Sequence, residues 1–202
     1  VLGGAPFVLR RPVSLEIDEG WQMSPLEIRA ADQQLSLAGR FSDQDGYAVR
    51  LDMASLDMAP FGPFVELPDL QGRIGGHLVL SGHADALEVD SQLDIEVTRQ
   101  DEPLAVLRTD LASTSEGLRI DATAHIPGSD EVTVRGVLPV FASLGSADRE
   151  RADRSADLNL VLQSDGGSIR WLNPFLDPTV MSDLEGLLTM DITVRGTIES
   201  PR

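Results

Sequence analysis

Leu118-Arg119-Ile120-Asp121-Ala122-Thr123-Ala124-His125-Ile126, the turn Pro127-Gly128-Ser129-Asp130, and then Val132-Thr133-Val134 form the stretch whose reading decides the fold. Apolar side chains occupy every second position on both sides of the turn. In an extended chain successive side chains point to opposite faces, so a period of two describes half-buried strands with one apolar and one polar side. Proline presets φ in the turn and glycine accepts positive φ, so consecutive runs fold back on each other as hairpins.

The same alternation runs outward from this point. Val13, Leu15 and Ile17, then Leu35 and Leu37, then Val49, Leu51 and Met53 precede it, followed by Leu78 and Leu80 and by Leu93, Ile95 and Val97; Leu158, Leu160 and Leu162 come after. Turn residues separate the runs at Asp45-Gly46, Glu116-Gly117 and Asp165-Gly166-Gly167. The expectation is an all-β, antiparallel fold. Helical signals are confined to 61–67 and to 169–175 with its continuation to Met181, stretches broken by proline and long enough for one or two short helical turns. From Gly145 to Asp157 alternation gives way to charges of both signs, the pattern of a solvated loop.

Composition narrows the function classes. Of 202 residues, 42% are apolar and only 4% aromatic, so a buried or apolar surface must be built from Leu, Val, Ile and Ala. Acidic residues outnumber basic ones 33 to 16, every basic residue is arginine, and the net charge is −17. A surface this negative repels phosphate backbones and anionic headgroups alike, which argues against nucleic acid as a partner. The lack of cysteine excludes disulfides, thiol catalysis and cysteine metal sites. No stretch approaches the roughly 18 apolar residues of a membrane helix, so an anchor or export signal is expected outside these residues.

The chain also repeats itself. A shift of 114 residues superposes Pro60-Phe61 on Pro174-Phe175, Asp69-Leu70 on Asp183-Leu184, Gly72 on Gly186 and Gly82 on Gly196 without a gap, while Ile74, Leu78 and Leu80 fall on Leu188, Ile192 and Val194. Repeat units near 56–87 and 170–201 therefore share one device: a crossover anchored by phenylalanine, then a glycine that lets the backbone turn into a new strand. Recurrence of this kind implies an elongated architecture whose units stack on their neighbours.

Chemistry-bearing clusters are sparse. His77, His83 and Asp85 share strand parity, but ligands six residues apart on a strand sit roughly 20 Å apart, too far for one ion held at about 2 Å. No G-x-S-x-G, S-x-x-K, H-E-x-x-H, phosphate-loop or dinucleotide fingerprint occurs. No catalytic residue, metal or cofactor is expected. The candidate functional residues are apolar: Leu78, Leu80, Leu93, Ile95, Leu118, Ile120, Val132, Val134, Ile192 and Val194 share parity, while Asp94, Glu96, Arg119, Asp121, Thr133, Arg135 and Thr193 have the opposite parity. Such a set lines an open face or forms the closed core of a β-sandwich; alternation produces either.

The repeated device resembles that of the TamB family, the inner-membrane subunit of the translocation and assembly module, within the wider AsmA-like class of bridge-like lipid transfer proteins. Its C-terminal copy carries the resemblance: Trp171-Leu172-Asn173-Pro174-Phe175, then Asp183-Leu184-Glu185-Gly186, then Leu188-Thr189-Met190-Asp191-Ile192-Thr193-Val194, then Arg195-Gly196-Thr197-Ile198-Glu199-Ser200-Pro201. Val134-Arg135-Gly136-Val137-Leu138-Pro139 is similar to the family's strand ending in Gly-x-x-Pro, whereas Gly82-His83-Ala84-Asp85 departs from it. The resemblance implies a sheet curved into an open U-shaped groove, a β-taco, of which these residues are one segment of a longer repetitive protein. It further implies that the ten apolar residues form a lipid-binding groove for phospholipid acyl chains, conducting phospholipid between inner and outer membranes. The setting implied is the periplasm, with an inner-membrane anchor outside the segment and an outer-membrane BamA-like barrel as partner through another part of the protein. The alternatives are a scaffold for outer-membrane protein assembly, or a closed β-sandwich serving binding or adhesion.

Overall fold

The computed structural model describes residues 7–59, 71–83, 86–99, 102–129, 131–140, 157–169 and 184–197. Their strands are β1 Val8–Leu9, β2 Leu15–Ile17, β3 Gly20–Ala30, β4 Gln33–Ser42, β5 Gly46–Asp57, β6 Gln71–His83, β7 Ala86–Arg99, β8 Glu102–Thr114, β9 Gly117–His125, β10 Val132–Leu138, β11 Leu158–Ser168 and β12 Leu187–Gly196. All twelve lie in one antiparallel sheet. From β3 to β12 each strand pairs with its chain neighbour, and β1 and β2 both pair with β3. The sheet stays open and does not close into a barrel.

Three expected turns form, with positive φ at Gly46 (+72°), Gly117 (+131°) and Gly128 (+74°). Asp165-Gly166-Gly167 is a correction: β11 runs through it, and the register shift between Asp165 and Gly167 makes it a bulge opposite β12. Glycine supplies the positive φ that either a turn or a bulge requires. Further register shifts fall between Met23 and Leu26, between Met53 and Leu56, and at Val97/Thr98 opposite β8. Each inserts an extra residue that bends its strand, and on β5 Ser55 takes a φ of +52° to do so. Leu56 thereby returns to the face that Met53 occupies, opposite Ile74.

The internal repeat appears in backbone geometry. Gly72 and Gly186 have φ of +146° and +150°, and Gly82 and Gly196 have +106° and +101°. In both copies the residue just past the preceding strand donates its amide to the leading glycine's carbonyl: Met58 to Gly72 at 3.0 Å and Ile169 to Gly186 at 3.1 Å. β5 and β6 therefore correspond to β11 and β12, a displacement of six strands. Phe61, Phe175, most of the crossovers in which helical turns are expected, and residues 145–156 of the charged loop lie outside the described residues.

Candidate apolar face and its polar reverse

Directly paired residues on antiparallel strands share a face, so the pairings can be followed across the whole sheet. One line passes through Leu26, Leu37, Leu51, Leu78, Ser91, Leu111, Ile120, Gly136, Leu160 and Val194, one residue from each strand from β3 to β12. A parallel line two residues away runs Ile28, Leu35, Met53, Gly76, Leu93, Thr109, Ala122, Val134, Leu162 and Ile192. Ile74, Ile95, Leu107, Ala124, Val132, Ser164 and Met190 form a third, and on the other side Met23, Gly39, Val49, Leu80 and Val89 belong to a fourth, as do Leu118 and Leu138.

All ten candidate residues lie on this one face, and all seven of the opposing polar set lie on the other. Nine of the ten are half-buried, and Ile192 is 44% exposed. Among the described residues the buried apolar side chains, Ala30, Leu56, Leu87, Ile126, Pro139 and Leu158, sit near strand ends or just beyond them. The large apolar side chains in the middle of the face therefore lack the complete burial that a second packed layer would impose. At about 4.8 Å per strand and 3.4 Å per residue, the two complete lines run roughly 43 Å across ten strands, and the two partial lines widen the face to roughly 20 Å over parts of that length. That is several hundred Å² of continuous apolar floor, at or above the largest patch of an ordinary monomer.

Two of the polar groups on this face are turned back into the sheet. Ser91, 3% exposed, donates its hydroxyl to the His77 carbonyl at 3.0 Å, and the Ser113 hydroxyl accepts the Val89 amide at 2.9 Å. At one end of the face Trp21, Phe41 and Tyr47 follow one another across β3, β4 and β5, and the last two rings stack with centroids 4.4 Å apart. Gly39 leaves room for this group, since a β-carbon there would meet the Trp21 ring at 2.8 Å.

The reverse face carries the charge. Arg108 bonds Asp94 and Arg135 bonds Asp121, both at 3.2 Å across neighbouring strands. Arg50 grips Asp52 through Nε at 2.8 Å and Nη2 at 2.6 Å, and this hydrogen bond, with the carboxylate's charge, holds the guanidinium above its ordinary pKa. Arg73 pairs with Asp32 beside a cleft of about 550 Å³ that Asp57 and Glu96 also line. His77 lies on this face opposite Asp52 and Gln92, His83 shares its parity, and Asp85 is outside the described residues. These pairs are solvent-exposed and contribute little: a double-mutant cycle on Arg135→Ala and Asp121→Ala should give a coupling of about 0–1 kcal/mol by urea unfolding. A coupling above about 2 kcal/mol would show that the outer face is covered.

Sequence alternation does not reveal two of the strands that build the floor. β3 contains Pro25 beside a register shift, and β8 reads Leu104-Ala105-Val106-Leu107, apolar at both parities around its own shift. Leu26, Ile28, Leu107 and Leu111 enter the face from these strands. Fold and face together define an open antiparallel sheet with one apolar and one charged side. Comparison with family models, with curated proteins and with solved structures finds no match to this chain.

Proposed function

We propose that the apolar face holds phospholipid acyl chains and that these residues are a segment of a cell-envelope β-groove protein conducting phospholipid between inner and outer membranes. The observation that carries the reading is the continuity of the floor: ten strands contribute apolar residues to shared lines, and no second layer covers them among the described residues. Each leaflet of a bilayer supplies about half of its ~30 Å hydrocarbon thickness, so acyl chains fit lengthwise along a strip of roughly 43 Å. The resemblance of the repeated device to the TamB family supports the same reading. The periplasmic setting, the inner-membrane anchor and the outer-membrane barrel partner rest on that resemblance alone.

Photo-crosslinking residues placed singly at Ile120 and Val134, and at Asp121 and Arg135, test the proposal in cells and on phospholipid vesicles. Labelling of phospholipid at the first pair and its absence at the second is the expected result. Equal labelling at both pairs, or none at either, returns the face to a sandwich core or a protein scaffold.

A further inference from the structure

Aromatic residues are scarce in this chain, 4% of 202, yet of the four among the described residues three stand together. Trp21, Phe41 and Tyr47 form a cross-strand row over β3, β4 and β5 on the apolar face, at the end of the sheet where β3 and β5 begin. All three rings are half-buried. Elsewhere at this end of the strands Leu87, Pro139 and Leu158 are buried, and at the opposite end of β3 and β5 so are Ala30 and Leu56. The rim of the floor is therefore partly open where the aromatic rings stand.

The Trp21 indole leans inward. Cη2 and Cζ3 of its six-membered ring lie 2.8 and 3.0 Å from the point that a Gly39 β-carbon would occupy, beside Val49. The five-membered ring with its N–H is the opposite part of the bicycle. Among the described residues neither that N–H nor the Tyr47 hydroxyl has a hydrogen-bond partner in the protein. Just past the row the chain turns at 18–19 and at 43–45, where Asp18, Glu19, Asp43, Gln44 and Asp45 are exposed. One or two residues thus separate apolar floor from hydrated turn. Tryptophan and tyrosine collect at such a boundary in bilayers, because the ring is apolar and its tip is polar.

We propose that the aromatic row seats the glycerol-ester region of a bound phospholipid, so that the headgroup leaves the floor over the 18–19 and 43–45 turns and the acyl chains run inward. The inference rests on the reading of the floor as a phospholipid surface and gives the bound lipid a direction. Rings that served only to steady the ends of β3, β4 and β5 would be indifferent to which part of a ligand lay beside them.

Trp21 is itself the reporter. With Trp171→Phe it is the single tryptophan of the chain, and the purified protein is loaded with phosphatidylcholine carrying bromine near either the ester end or the methyl end of its acyl chains. Bromine quenches an indole only at contact, so the ester-proximal label should quench Trp21 at least roughly twice as strongly as the methyl-proximal one if the ring stands at the ester level. A second reporter, Leu78→Trp in a chain that also carries Trp21→Phe and Trp171→Phe, lies on the same face. Strand spacing and rise put it about 17 Å inward from Phe41, close to the depth of one leaflet, which is about half of ~30 Å. The order of quenching should reverse there. Equal quenching of Trp21 by the two lipids, stronger quenching by the methyl-proximal label, the same order at both reporters, or no quenching of Trp21 while phospholipid still labels Ile120 and Val134 would each overturn the inference and leave the lipid reading standing. Absence of quenching at both reporters together with absence of that labelling would overturn the two at once.

Discussion

Gly136→Val should lower the stability of the folded chain by about 3 kcal/mol or more, a sizeable share of the roughly 5–15 kcal/mol that folded domains possess. Two effects add at this position. Its φ of +155° is one that a β-branched residue adopts only under strain, worth about 1–3 kcal/mol. A β-carbon would also run into the Asn159 carbonyl of β11, and relieving that collision displaces a paired strand at about 1–3 kcal/mol more. Gly128→Ala separates the two effects, because φ there is +74° and nothing lies within 4 Å of the added carbon. It should cost only about 1 kcal/mol. Urea midpoints for the two variants check this, and a Gly136→Val loss no larger than that of Gly128→Ala would mean that β10 and β11 do not approach so closely.

The second large effect concerns ligand and leaves the fold almost untouched. Ile120 stands in the middle of the apolar floor, half-buried and opposite Leu111 and Gly136. If acyl chains lie there, Ile120→Asp buries a carboxylate beneath them at a desolvation cost of several kcal/mol, and phospholipid retained through purification should fall by a factor of ten or more. Without lipid the same carboxylate reaches water, so the unfolding free energy should change by no more than about 1 kcal/mol. Asp121→Ala on the reverse face should change neither quantity. The pairing of readouts separates an open face from a closed core, because a core position would lose about 3–5 kcal/mol of stability on receiving an unpaired charge. Native mass spectrometry beside urea unfolding provides both measurements.

Much of this was legible in the residues, and the reasons are local. Leu118, Ile120, Val132 and Val134 declare their face because a period of two has one structural meaning when turn residues bound it. The six-strand correspondence was visible because glycines needing positive φ, such as Gly72 and Gly186, admit no other side chain without strain. The failures lie where local and long-range preferences diverge. Asp165-Gly166-Gly167 offers a turn and a bulge equally well, and the pairing with β12, distant in sequence, decides for the bulge. Pro25 argues against a strand interior in general, but here it falls at the register shift of β3, where a ladder bond is already missing. The shift beside Leu104 flips the apparent parity of β8, so Leu107 and Leu111 cannot be assigned to a face until the partner strand is known. The bonds that hide Ser91 and Ser113 from the floor also depend on partners in neighbouring strands.

The displacement between the two copies is six strands, an even number. Antiparallel strands reverse direction at every step, so after an even count the chain emerges at the same side of the sheet, heading the same way, with the same face upward. A duplicated block can therefore be inserted without rewiring any loop or inverting any side chain, and each insertion lengthens the floor by about 29 Å. A block of five or seven strands would deliver the chain to the opposite side and force a crossover. Length, in a molecule extended by such blocks, would grow in steps of six strands and never by a single one without a change of side.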